Sequence, residues 1–181
     1  ATNEPEGFKK ICIFPGAEIS TLENVHILAL FDPSAGTAEV EDLLVKLDIP
    51  RGKWGETEGV FSKYQSSDVI KIINQSGALA IPAHANKETG IFKLSGNQLR
   101  SLADNEQIIA IEHEGSKSEW PDLIKERKPK WVQILGSDCH QVLVSIPHKF
   151  TWIKMRSPTL EGLKLACIDG INSVKKMSDI T

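Results

Sequence analysis

The sequence is poor in cysteine and has no long apolar run, and these two shortages exclude several classes of protein. Its 181 residues include only Cys12, Cys139 and Cys167, without a Cys-x-x-Cys pair. This argues against a disulfide scaffold or a zinc ribbon and is typical of a reducing cytoplasm. No run approaches the ~20 apolar residues that span a bilayer, and the stretch ATNEPEGFKK lacks the apolar region of a signal peptide. We therefore expect a cytoplasmic protein without a membrane partner.

A strong excess of charge of either sign is also missing. The formal net charge is −3, with 40% hydrophobic and 25% charged residues, which is ordinary for a soluble globular protein. This balance gives the whole chain no general attraction to nucleic acid or to anionic membranes, although it is compatible with a local basic patch. The length suits one domain with a sizeable core, over residues 1–181.

Short apolar runs alternate with stretches of helical period. The runs that predict strands are KICIF (10–14), VHILALF (25–31), ALAIPA (78–83), QIIAIE (107–112), KWVQIL (130–135) and KFTWIKM (149–155). Helices are predicted in the segments GTAEVEDLLVKLDI, SSDVIKIINQSG, LSGNQLRSLADNE, SEWPDLIKERK and SPTLEGLKLACIDG. This alternation indicates an α/β fold with a largely parallel sheet, either open or closed into a barrel.

Imidazole and carboxylate side chains stand at the ends of several predicted strands. In α/β sheets and barrels, ligands gather beyond the carboxyl ends of the strands. The residues in these places are Glu18, His26 at the beginning of its run, His84, the group Glu112, His113 and Glu114, and the pair Asp138 and His140. Neutral imidazole and carboxylate are common ligands of Zn²⁺, Mn²⁺ and Fe²⁺, so the pattern favours a hydrolytic metal site.

Each of these residues also has a simpler explanation when it is taken alone. Asp138 and His140 would share one face if the strand continued through Cys139, and the pair could then serve a metal, a proton transfer or a salt bridge. A lone strand-end histidine such as His84 is usually structural, and Glu18 alone reads as a surface or capping carboxylate. Because several such residues coincide at strand ends, the metal site is the favoured interpretation.

The motifs GAEIS, HILALF, IPAHAN and GSDCH, in this order, resemble the PHP (polymerase and histidinol phosphatase) family. The segment TWIKMRSPTLEGLKLACIDG is similar to PHP modules attached to SMC/AAA-like ATPases. The resemblance covers nearly the whole chain. It implies a distorted (β/α)7 barrel with a two- or three-metal centre at the strand ends, which hydrolyses phosphoesters.

The resemblance also assigns roles to five residues of this sequence as metal ligands. They are Glu18, His26, His84, Asp138 and His140. The implied cofactors are divalent ions (Zn, Mn or Fe) in unknown number, and the implied nucleophile is a metal-bound water, with no side-chain nucleophile. Implied partners are a phosphoester substrate such as DNA or RNA and an ATPase domain in the same longer chain.

The sequence departs from the family pattern at its beginning. The family opens with a His-x-His motif, which is absent here, and the first histidine is His26. Together with the start at Ala1 without methionine, this predicts a barrel incomplete at its N-terminal strands and an incomplete multinuclear site, so that the 181-residue chain by itself could be inactive.

Three functions follow from these observations. The leading prediction is metal-dependent hydrolysis of nucleic-acid or nucleotide phosphodiesters. The alternatives are a non-catalytic regulatory or interaction module with a degenerate metal site, and a phosphatase of small metabolites.

Overall fold

The computed structural model of the chain describes residues 11–56, 59–138 and 149–177. The strands are β1 (Gly16–Ser20), β2 (His26–Leu30), β3 (Leu79–Pro82), β4 (Ala110–Glu112), β5 (Val132–Ile134), β6 (Thr151–Ile153) and β7 (Val174–Lys176). The α-helices are α1 (Thr37–Lys46), α2 (Ser66–Gln75), α3 (Gly96–Ala103), α4 (Asp122–Arg127) and α5 (Leu160–Asp169). The fold is therefore mixed α/β, as predicted.

The strands form three small sheets within the described residues. β1, β2 and β3 form one antiparallel sheet, β4 and β5 are parallel, and β6 and β7 are antiparallel. The prediction of a largely parallel sheet is thus wrong, and no closed barrel is formed by the part of the chain that the structure describes, so the (β/α)7 barrel is not confirmed. The sequence also showed no sign of β7, whose three residues are too few for a clear pattern.

The antiparallel order follows from where the connections run. The turn between β1 and β2 is only five residues long, which is too short for a parallel crossover. Helix α2 begins beside this turn, where the backbone N–H of Ser66 donates to Glu23. It leads the chain to Leu79, which pairs with Leu30 at the end of β2. The chain therefore enters β3 where β2 ends and runs antiparallel to it.

The first strand lies later in the sequence than predicted. Residues 11–15 have no regular structure, and β1 starts immediately after Pro15. Ile11 and Ile13, which made the stretch look like a strand, are 75% and 69% exposed. Glu18 consequently lies in the middle of β1 and not after its end.

Two apolar clusters cover the two faces of the strands. One contains Ile19 and Ile27 of the first sheet and packs against helices α1 to α4. The other contains Leu79 and Ile81 of β3, Ala110 of β4 and Val132 of β5, and packs against α5. Because side chains alternate along a strand, Glu18, His26 and Glu112 share the face of this second cluster. These polar residues therefore continue an otherwise apolar surface.

Helix α5 begins with a well-formed cap. The Thr159 side chain accepts a hydrogen bond from the backbone N–H of Gly162 at 3.1 Å, and the helix then buries Leu160, Leu163, Ala166 and Cys167. No helix among the described residues is both long and apolar enough to cross a membrane.

Candidate metal centre

Glu18, His26 and His84 converge at one edge of the first sheet. Ser20 pairs with His26, and Ile27 pairs with Pro82, so the end of β1, the start of β2 and the end of β3 meet there. The antiparallel order explains how a histidine at the beginning of a strand joins residues near the ends of two others. One ligand atom from each of the three side chains lies within 4.8 Å of the others.

Glu18 and His26 are in direct contact. Glu18 Oε1 lies 2.5 Å from His26 Nδ1, so this buried ring nitrogen faces the carboxylate. The contact with His26 lowers the pKa of the Glu18 carboxyl. Glu18 is therefore ionised at neutral pH, as a metal-ligating carboxylate must be.

His84 is held in the turn after β3, with its ring centroid 5.0 Å from that of His26. Its φ is +29°, an uncommon value for a residue with a side chain. Its Nε2 lies 2.9 Å from Thr89 Oγ1, while the buried Nδ1 has no hydrogen-bond partner. Burial lowers the pKa of the His84 imidazole, which keeps the ring neutral and able to act as a ligand.

Thr89 contacts both histidines, and the sequence did not single it out. Its carbonyl accepts a hydrogen bond from the backbone N–H of His26 at 2.8 Å, and its hydroxyl lies against His84. Histidine ligands commonly use their second ring nitrogen for such an outer contact, which fixes the orientation of the ring. A threonine five residues after a candidate histidine is too weak a pattern to be recognised without coordinates.

Glu112 connects the turn of His84 to the segment that carries Asp138. Its carboxylate accepts hydrogen bonds from the backbone N–H groups of His84, at 2.9 Å, and Gly136, at 3.0 Å. A Cβ on Gly136 would stand 2.7 Å from Glu112 Oε1, so a larger residue here would displace the Glu112 carboxylate. The sequence placed Glu112 at a strand end but did not predict a role for it. The signal available in the sequence was that Glu112 follows Ala110 by two residues, so that the two side chains share one face of a strand.

Asp138 lies next to this group, but not in the extended conformation that the sequence suggested. Strand β5 ends at Ile134, and Asp138 has a φ of +50°. The extended conformation that would have placed Asp138 and His140 on one face is therefore not present at Asp138. Asp138 shares a cavity of about 620 Å³ with Glu18, His26 and His84, and Lys87 Nζ lies 3.1 Å from its Oδ2. His140 and Cys139 lie outside the described residues.

His113 belongs to the core. It is completely buried, its Nδ1 lies 2.8 Å from Gln133 Nε2, and its ring centroid is 5.5 Å from that of Phe92 and 6.1 Å from that of Trp120. Glu114 is exposed and pairs with Lys149 at 2.5 Å, which lowers the pKa of its carboxyl. Neither residue lines the cavity that contains Glu18 and His26.

The donor set and its surroundings fit a divalent metal ion. Two imidazoles and one carboxylate converge, the carboxylates of Glu88 and Asp138 line the same cavity, and the buried Nδ1 of His84 has no hydrogen-bond partner. Buried polar atoms without partners are rare in folded proteins, and a bound ion would satisfy this one.

Comparisons with known proteins establish a similarity of fold. No protein-family model matches the sequence, and no curated protein matches it. Among solved structures, the chain is similar to the lesion-specific endonuclease PfuEndoQ from Pyrococcus furiosus, with a TM-score of 0.66 and 19% sequence identity. The similarity covers 90% of this chain and 40% of the endonuclease chain. This chain thus corresponds to less than half of that enzyme.

Proposed function

We propose that this chain is a metal-dependent phosphoesterase module of the PHP type, which acts on phosphodiesters of nucleic acids or nucleotides. The observation that carries the proposal is the convergence of Glu18, His26 and His84, where the buried Nδ1 of His84 has no hydrogen-bond partner. The similarity in fold to an endonuclease supports the choice of a nucleic-acid substrate.

The protein residues have separate tasks in this proposal. Glu18, His26 and His84 hold the metal, and Asp138 and His140 are the further predicted ligands. When bound, the ion neutralises phosphate charge and lowers the pKa of a water molecule. Thr89 orients the His84 ring, and Glu112 holds the backbone on both sides of the cavity. Lys87, which forms an ion pair with Asp138 at 3.1 Å, would bind a phosphate once Asp138 ligates the ion.

The test combines metal content with hydrolysis. The wild-type chain and Glu18→Gln are equilibrated with Mn²⁺ or Zn²⁺, freed of unbound ion, and assayed on a 5′-labelled single-stranded oligonucleotide. We expect the wild type to retain metal and Glu18→Gln to lose it, and cleavage of the oligonucleotide by the wild type to be lost in the same variant. The matched control is Glu41→Gln, which changes an exposed carboxylate of α1 that pairs with Arg51.

Three outcomes would contradict the proposal in different ways. Equal metal retention by the wild type and by Glu18→Gln would exclude the proposed metal site of Glu18, His26 and His84. Metal retention without cleavage would favour a non-catalytic module with this fold. Cleavage of small phosphomonoesters in preference to the oligonucleotide would favour a phosphatase.

A further inference from the structure

The segment 149–177 differs in charge from the rest of the molecule. It contains six lysine and arginine residues and two acidic residues, whereas the remainder has fifteen basic and twenty-two acidic residues. The segment therefore has a formal net charge of +4 and the remainder −7, although the whole chain has only −3. Such an asymmetry within one chain indicates a local surface for a polyanion.

Part of this charge lies on the outer face of the sheet formed by β6 and β7. Trp152 pairs directly with Lys175, so their side chains share a face, and Lys154 lies two residues further on the same side. The opposite face is turned inward, where Ile153 and Val174 join the apolar cluster beneath α5. Within the described residues, neither Lys154 nor Lys175 is in ion-pair contact with a carboxylate. The charge of Lys154 contributes to the lowered pKa of the Asp169 carboxyl.

Two aromatic rings stand on the same outer face. Phe150 and Trp152 are two residues apart, and their ring centroids lie 5.5 Å from each other at an interplanar angle of 79°. Trp152 is 60% exposed and Phe150 37%, so each presents ring surface to solvent. The edge contact with Phe150 restrains the Trp152 indole, which reduces the entropy lost when a flat ligand stacks on it.

This face begins at the candidate metal centre. Lys149, immediately before Phe150, lines a cavity together with His84, Glu112 and Asp138. The Thr151 hydroxyl contacts the backbone N–H and carbonyl of Leu135, at 2.7 and 3.0 Å, and so ties β6 to the segment leading to Asp138. The outer face of the β6–β7 sheet therefore lies next to the segment that leads to the candidate metal centre.

We infer that the outer face of the β6–β7 sheet binds single-stranded nucleic acid, with bases stacked on Phe150 and Trp152 and phosphates paired with Lys154 and Lys175. Exposed aromatic rings beside lysines are the combination by which proteins bind single strands without reading sequence. A duplex fits less well, because its bases are already stacked on each other. The inference extends the proposed function by naming the form of the substrate, but the binding itself requires no metal.

Binding is measured by fluorescence anisotropy with a labelled twelve-nucleotide oligothymidylate in the presence of a chelator, so that the result does not depend on hydrolysis. We expect Trp152→Ala to weaken binding about 5- to 150-fold, the effect of one lost base-stacking contact, and Trp152→Phe to restore most of it. Lys175→Glu should weaken binding and make the salt dependence less steep by about one phosphate contact.

Matched controls lie on the acidic part of the molecule. Phe61→Ala removes another exposed aromatic ring, and Lys71→Glu reverses an exposed lysine of α2. Binding that is equal in Trp152→Ala and Phe61→Ala would overturn the inference, as would tighter binding of the duplex than of the single strand. A wild-type dimer that Trp152→Ala dissociates, without any nucleic-acid binding, would instead assign the face to self-association. If the wild type bound the oligonucleotide but did not cleave it, the result would count against the proposed function and not against this inference.

Discussion

His84 and His113 are two buried histidines in which one ring nitrogen lacks a partner, and yet their surroundings differ completely. His84 faces a second imidazole and the carboxylates of Glu18 and Asp138, whereas His113 lies between Gln133 and the rings of Phe92 and Trp120. Burial lowers the pKa of both side chains. Burial and a lowered pKa therefore do not identify a ligand; the neighbouring donor atoms do.

The largest effect is expected from exchanging each histidine for glutamine. His84→Gln should weaken divalent-metal affinity by more than about 100-fold, since even outer-shell partners of ligands are worth about 10- to 100-fold. His113→Gln should leave metal affinity unchanged and lower the free energy of unfolding by about 1–3 kcal/mol through its lost hydrogen bond and packing. Isothermal titration with Mn²⁺ and urea unfolding measure the two quantities. If His113→Gln also abolished metal binding, the distinction drawn between the two sites would be wrong.

The next largest effect is expected from substitutions of Glu112, because its carboxylate supports the site of His84 and not that of His113. Glu112→Ala leaves the backbone N–H groups of His84 and Gly136 without their acceptor, so metal affinity should fall about 10- to 100-fold. Glu112→Gln keeps one acceptor oxygen and should lose less. The visible spectrum of bound Co²⁺ should shift in both variants, which a purely structural role would not cause. The control is Glu114→Gln, which changes an exposed carboxylate that pairs with Lys149.

A smaller effect is expected from Thr89→Val, which removes the hydroxyl at His84 Nε2 with little change of volume. Metal affinity should fall about tenfold, the lower end for outer-shell partners of ligands. Thr159→Val is the matched control: it removes the cap of α5 and should cost about 1 kcal/mol of stability while metal affinity stays constant. Equal metal affinities in the two variants would show that Thr89 does not orient the ring.

The smallest effect is on the pH dependence of stability in the metal-free protein. Because burial lowers the pKa of His113 in the folded state, the unfolded chain binds more protons just below pH 6.5, the ordinary histidine pKa. Stability should therefore fall as the pH drops through 6.5 towards the folded-state pKa, and change little above that value. His113→Gln should flatten this dependence in urea unfolding at several pH values. An unchanged slope would mean that His113 is not protonated on unfolding.

The residue types and their order in the sequence were enough to predict the mixed α/β fold and to select Glu18, His26 and His84. Buried strands such as Leu79–Pro82 have continuous apolar runs, and α2 has its apolar residues at helical spacing, because one face of each must be buried. The shift of β1 could not be predicted, because Ile11 and Ile13 have the composition of a strand and only pairing with β2 shows where the strand lies.

Tertiary structure decided which polar residues meet. The direction of β3 depends on where the chain leaves α2, which is beside the end of β2. Because β3 then runs antiparallel to β2, His26 at the start of β2 lies next to His84, which follows the end of β3. Tertiary structure also separates His113 from Glu112, its neighbour in sequence, because adjacent residues of a strand point to opposite faces. The sequence determined which side chains could bind a metal, and the packing of the strands determined which of them share a cavity.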